Sequence, residues 1–172
     1  MIYAGIGSRN TPTNVTSMMK IIGVCLAIKG YTLNTGAAKG ADQAFAEGAI
    51  SVGGKVNLFL PWPSYEKDWW SKFAKVNIFV LNQKDKEAID SVFQYHPAAG
   101  NLSRPVIALH ARNYLIVRPS KLVICYTKNG DIVGGTGQGI RIALARKIEI
   151  LNLGKTEHRK KIHQMIKKMF GW

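Results

Sequence analysis

Three short stretches carry the residue types that hold anions: "GIGSRN" at 5–10, "NTGAAKGAD" at 34–42 and "GGTGQG" at 134–139. Each follows an apolar run of strand length and opens into a segment of helical periodicity. Gly, Ala, Ser and Thr let backbone N–H groups approach a phosphate closely, and a helix N-terminus adds its positive dipole end. The candidate anion-binding positions are therefore Gly7, Ser8 and Arg9 in the first stretch. In the second they are Thr35, Gly36, Ala37, Lys39, Gly40 and Asp42, and in the third Gly134, Gly135, Thr136 and Gly137. One such stretch is equally well a tight turn, whereas three at strand ends favour a shared anion-binding rim. Asp42 also has the type and place of an N-cap for the helix that it opens.

The familiar nucleotide fingerprints are absent. "GIGSRN" lacks the third glycine of a dinucleotide loop, and the second strand ends at Asn34 instead of an acid that would hold a ribose. In "GAAKGAD" the Gly-Lys pair of a P-loop is missing: Lys39 precedes Gly40, and Ala41 stands where a Ser or Thr would be needed. Neither a nicotinamide or flavin cofactor nor ATP hydrolysis is indicated. Metal chemistry is not expected either, since the four histidines are scattered and lack acidic neighbours at ligand spacing.

A second group of residues could contact a base or ribose. Trp62 and Tyr65 follow the strand "KVNLFLP" and could form a pocket wall, although indole rings serve a core or a dimer interface equally well. In "LHARN", His110 and Asn113 are one turn apart and share a helix face, while Arg112 points away from His110. With His96 of "HP" these residues are candidates for base or phosphate contact; a lone helical His is as often structural. No acid is a convincing catalyst. Asp42 and Glu47, five residues apart, lie about 140° apart around a helix, and Asp131 in "NGD" reads as a turn former.

These side chains need an α/β frame to position them. "MIYAG", a helix over "NVTSMMKIIGVCLAIKG", "YTL", a helix with Ala41, Ala44, Phe45, Ala49 and Val52 inward, and "KVNLFLP" spell βαβαβ, which implies a parallel sheet. The middle of the chain is less regular and is placed as an excursion: "PWPSYEKDWWSKF", then an extended "VNIFVL" and a weakly helical "KDKEAIDSVFQY". A helix from about Pro105 to Val117, the strand "KLVICY", the glycine loop "GGTGQG", a helix over "IRIALARK" and the strand "IEILNL" complete the frame. The expected fold class is α/β, a three-layer Rossmann-like domain with a mainly parallel sheet. One such domain over 1–172 is expected, closed by a basic C-terminal helix at about 155–170 in which Ile162, Met165, Ile166, Met169 and Phe170 form the docking side.

Composition narrows the partners. The chain has 24 Lys+Arg against 10 Asp+Glu, a formal charge of +14, which suits a phosphorylated ligand or a polyanion. Apolar runs are of strand length and the N-terminus lacks a leader pattern, so a cytoplasmic protein without a membrane partner is expected. Cys25 and Cys125 sit in apolar periodic segments and read as reduced core cysteines.

In order along the chain, "AGIGSRNTP", "NTGAAKGADQAFAEGA", "LPWPSY", "HPAAGNL", "HARN" and "GGTGQGIRIA" resemble the phage-borne branch of the DNA-processing protein A (DprA/Smf) family, within the SLOG superfamily of Rossmann-like domains. The resemblance extends to about Leu153. It implies nucleotide or nucleotide-derived ligands at the strand-end loops, with phosphate meeting Arg9, and self-association into a homo-oligomer. It also implies alternatives: single-stranded DNA binding, as in DprA-type mediators, or N-glycosidic cleavage, as in phosphoribohydrolases. The third stretch is similar to the phosphoribohydrolase pattern P-G-G-x-G-T-x-x-E, but Val133 replaces the proline and Arg141 the glutamate. An oxocarbenium-like centre needs a carboxylate, so binding without cleavage is the expected outcome. In a phage-type protein that outcome points to sequestration of a host immune nucleotide.

Overall fold

The computed structural model describes residues 1–172. Six strands form one sheet: β1 (Ile2–Gly7), β2 (Thr32–Thr35), β3 (Lys55–Leu60), β4 (Val76–Val80), β5 (Leu122–Tyr126) and β6 (Glu149–Asn152), in the order β4-β3-β2-β1-β5-β6, every pair parallel. The helices are α1 (Thr13–Ile28), α2 (Ala41–Ser51), α3 (Lys67–Trp70), α4 (Lys86–Tyr95), α5 (Arg104–Val117), α6 (Gly134–Ala145) and α7 (Thr156–Phe170). The chain begins in the middle of the sheet, winds outward through β2, β3 and β4, then returns to the other side of β1 for β5 and β6. The winding direction therefore reverses between β1 and β5, the switch point at which an open α/β sheet leaves a crevice beyond its strand ends.

Continuous apolar strands such as β5, buried from Leu122 to Cys125, need cover on both faces. One face carries a core built from α1, α2 and the apolar side of α7 around Met19, Leu26, Phe45, Leu58 and Ile162. The other is covered by α4, α5 and α6 through Ala88, Val92, Ile116, Ile140 and Ile142. Each buried aliphatic side chain contributes about 1.5–3 kcal/mol of transfer free energy, so the two cores dominate the stability of the fold. Helices α1 and α2 approach closely because both lack a side chain at the crossing: a Cβ on Gly23 would lie 2.5 Å from the Phe45 carbonyl oxygen, and one on Gly48 would lie 2.1 Å from that of Lys20.

A row of amides crosses three strands in register, Asn34 beside Asn57 beside Asn77. Asn77 Nδ2 donates to Asn57 Oδ1 at 2.9 Å, Asn57 Nδ2 to Asn34 Oδ1 at 2.9 Å, and Asn34 Nδ2 to the Ile116 carbonyl of α5 at 3.3 Å. Asn34, the buried member of the row, requires such partners.

The α/β class and the parallel sheet follow the periodicity reading, with three differences. "GGTGQG" is not a loop: Gly134–Gly139 are the first turns of α6, and the Gly137 N–H already donates to the Val133 carbonyl at 2.8 Å. Val52 faces solvent at 43% exposure, because α2 ends at Ser51 and the chain turns away there. "VNIFVL" joins the sheet as its edge strand β4, so the excursion is confined to the Trp-rich segment before it. Cys25 and Cys125 are buried and free.

Candidate functional site

At the β1/β5 switch point lies a cleft of about 890 Å³. The first loop contributes Gly7, Ser8, Arg9, Asn10 and Pro12, and the end of β5 contributes Tyr126, Thr127 and Lys128. From α6 come Gly134, Gly135 and Thr136, and from α5 Val106, Leu109, His110, Arg112 and Asn113, with Ala38, Asp42 and Tyr65 deeper in. The volume is within the range of small-molecule sites.

N–H groups without a partner inside the helix concentrate at the start of α6. Its first N–H groups, on Gly134, Gly135 and Thr136, have no carbonyl four residues back within the helix. The turn is held in place by Asn113, whose Nδ2 donates to the Gly135 carbonyl at 3.0 Å. Both glycines have open space where a Cβ would be, so a ligand can reach this backbone. Two exposed cations line the same cleft. Lys128 is exposed past the end of β5, and Arg9 reaches over the cleft with Nη2 donating to the Tyr65 hydroxyl at 2.9 Å. The Ser8 turn is internally braced: Asn10 N–H donates to Ser8 Oγ at 3.1 Å and the Thr11 hydroxyl to the Ser8 carbonyl at 2.7 Å. Apolar side chains complete the lining, from Pro12, Val106, Leu109, Tyr126 and Val133.

The second stretch has a different role. Arg112 is buried and crosses under the cleft to Asp42, Nη1 to Oδ2 at 3.3 Å. The same carboxylate accepts the Ala38 N–H at 3.3 Å. Burial pushes the Asp42 carboxyl up from its ordinary value, against the pull of Arg112 and of the Ala38 and Gly7 N–H groups. Asp42 is thus not the N-cap of α2, a place that Gly40 takes with φ +80°. N–H groups at the start of α2 are taken by carbonyls of the preceding loops: Ala41 N–H donates to the Ser8 carbonyl at 3.4 Å and Gln43 N–H to the Ala38 carbonyl at 3.2 Å. Gly36 is small to admit Arg112, since a Cβ there would fall 0.9 Å from Nη1. Thr35 donates its hydroxyl to the Gly5 carbonyl at 2.6 Å, Ala37 is buried with φ 64°, and Lys39 is exposed outside the cleft lining. Neither Gly40 nor Gly137 lines it. Ion pairing and packing, which spacing alone does not reveal, take these positions.

The aromatic expectations divide. Tyr65 lines the cleft, buried between the guanidinium groups of Arg9 and Arg112, at 6.0 Å and 5.7 Å from its ring centre. Trp62 stands behind it, edge to face at 5.2 Å, and is not a wall. Trp69 and Trp70 are tied to Glu47 and to the Tyr65 carbonyl by their ring N–H groups. His96 lies outside the lining but packs on His110 with ring centres 4.5 Å apart. Burial, then the charges of His96, Arg112 and Arg141, lower the His110 pKa to about 4. Burial and Arg141 lower that of His96. Arg141 donates to the Ile132 carbonyl at 3.2 Å and does not line the cleft.

Sequence reasoning passed over Asn10, Tyr126, Thr127 and Lys128. The signal was available for Lys128, which lies two residues beyond the last β5 residue at the carboxyl end of a central strand, where α/β ligands bind. Asp42 is the sole acid among the lining residues, and it is committed to Arg112.

No family model matches the chain, and no curated protein matches it. Solved structures do. DNA processing protein A from Helicobacter pylori, described for its single-stranded DNA binding mode, superposes with a TM-score of 0.68 over 99% of this chain and 80% of that one, at 18% identity. The molybdenum cofactor carrier protein of Chlamydomonas reinhardtii gives 0.62 over 98% and 86%, also at 18% identity. DNA processing protein A from Streptococcus pneumoniae gives 0.61 over 97% of this chain and 56% of that one, at 18% identity. These likenesses show a shared Rossmann-like fold. No helix is long and apolar enough to cross a membrane.

Proposed function

We propose that the chain binds a phosphorylated nucleotide or nucleotide-derived ligand in the switch-point cleft and holds it without cleaving it. The observation that carries this reading is the α6 turn, whose Gly134, Gly135 and Thr136 amides face a cleft that also contains Arg9 and Lys128. A phosphate seated there meets a helix N-terminus and two cations, and the apolar side chains of the lining suit a base. Cleavage lacks a carboxylate, because Asp42 is locked to Arg112 and Arg141 occupies the place of the phosphoribohydrolase glutamate. A cleft that retains its ligand suits sequestration of a nucleotide signal, the role that the phage-type resemblance suggests. Self-association, also suggested by that resemblance, is measured by sedimentation velocity.

Calorimetric titration with a panel of nucleoside mono- and diphosphates tests the reading. Arg9→Ala should weaken binding by about tenfold or more, the worth of one charge-assisted hydrogen bond. Unchanged affinity removes Arg9 from the site, and recovery of free base from the incubated nucleotide refutes retention.

A second reading, single-stranded DNA binding, is favoured by the exposed cations of α7, among them Arg159, Lys160, Lys161, Lys167 and Lys168, and by the likeness to DNA processing protein A. The two readings separate by salt. DNA affinity falls steeply as counterions are released, with a logarithmic slope of about −0.7 per phosphate contacted for single strands, whereas a ligand with few phosphates gives a shallow slope.

A further inference from the structure

His110 is buried in the cleft wall, and its Nδ1 has no hydrogen-bond partner. It lies one turn before Asn113 on the same face of α5, and Asn113 is fixed to the Gly135 carbonyl at 3.0 Å. The imidazole and the open amides of α6 therefore border the same space. The charged and titratable groups around the ring come from several elements. His96, following α4, packs against it at 4.5 Å and uses its own Nδ1 to accept the Ala98 N–H. Arg112 is on α5 and Arg141 on α6, with Arg9 and Lys128 elsewhere on the cleft and its neighbourhood. Every one is cationic or becomes so on protonation. The single acid of the lining, Asp42, already faces Arg112. The lining itself offers no free counter-charge for an imidazolium.

We infer that His110 is a proton-taking anchor of the cleft: an anionic ligand seated on the first turn of α6 draws a proton onto this imidazole, so that binding tightens as the medium is acidified. The inference rests on the anion-binding reading above. The physical cause is the added negative charge, which favours the charged form of a neighbouring base. The proton comes from solvent and returns to it on release of the ligand. In the empty protein the group titrates at about 4. Return to its ordinary value of about 6.5 in the complex would tighten binding roughly 30-fold between pH 8 and pH 5, with about 0.9 proton taken up at pH 5.5.

The test follows the imidazole directly by NMR of isotopically labelled wild-type protein, free, with 5′-AMP, and with inorganic sulfate, whose charge is constant over this range. Calorimetry with 5′-AMP in two buffers of different ionisation heat counts the protons, and the His110→Gln protein subtracts those taken up by the phosphate of AMP. The expected result is an upward shift of at least one pH unit in the His110 titration with either anion, and proton uptake at pH 5.5 in excess of that of the variant. If 5′-AMP binds while the His110 titration stays near its free value, the inference is overturned and the cleft reading survives. If neither anion binds at any pH, both fall.

Discussion

Replacing Gly36 by alanine separates two explanations of the second glycine stretch. As a phosphate loop it would tolerate a methyl at some loss of affinity but little loss of stability. In the structure the added Cβ falls 0.9 Å from Arg112 Nη1, so the guanidinium must leave its place beside Asp42. The pair is deeply buried, with side chains 7% and 4% exposed, and no other cation is bonded to that carboxylate. Breaking a buried pair so that one charge lacks its partner costs about 3–5 kcal/mol. For a chain of this length each kcal/mol shifts Tm by about 2–4 °C, so Gly36→Ala should melt about 6–20 °C below the parent. Urea unfolding followed by circular dichroism gives the free energy, with an unchanged slope confirming that the same transition is measured. In an Asp42→Asn/Arg112→Met background the same substitution should cost less than about 1 kcal/mol, because residues in contact do not add independently. A Gly36→Ala protein within about 0.5 kcal/mol of the parent, or an equal cost in both backgrounds, would refute the argument.

Two further outcomes follow from packing and titration. Gly48→Ala should destabilise by about 1–3 kcal/mol in the same unfolding assay, since its Cβ would sit 2.1 Å from the Lys20 carbonyl oxygen and push α1 from α2. The depressed pKa of His110 means that the unfolded chain binds a proton more readily between about 6.5 and 4. Its contribution to stability is therefore complete above pH 6.5 and is lost as the pH falls toward 4, by at most about 3 kcal/mol. Unfolding free energies from pH 7 to 4 should show this fall in the parent and a smaller one in His110→Gln.

The frame was legible because its signals are local. Strand-length apolar runs alternate with helical periodicity, and all the expected helices and strands form, from "MIYAG" to the closing helix whose Ile162 is buried against the core. The clustering of strand-end residues was legible in part. Arg9, Ser8, Gly134, Gly135 and Thr136 come together because their strands, β1 and β5, are neighbours at the switch point. Residues 35–40 were not readable in the same way. The places of Gly36 and Asp42 depend on Arg112, some 70 positions later, which no spacing rule connects to either. The pairing also shows that the Arg112 guanidinium is engaged by Asp42, a partner that helix geometry alone does not reveal. Trp62 illustrates a similar gap: its place beside a strand end is local, but Tyr65 standing in front of it is a matter of tertiary packing.

The amide row of Asn34, Asn57 and Asn77 has a consequence for how the sheet assembles. Strand side chains alternate between faces, so a slip of β4 by one residue would set Val76 or Ile78 against the amide of Asn57 and leave its carbonyl oxygen without the donor that Asn77 supplies. Hydrophobic contacts alone distinguish poorly among Val76, Ile78 and Val80, which are alike in shape. Three polar side chains thereby proofread the alignment of the outermost strand with the interior of the sheet, and the chain of bonds that does so ends on α5, the helix that bears His110, Arg112 and Asn113.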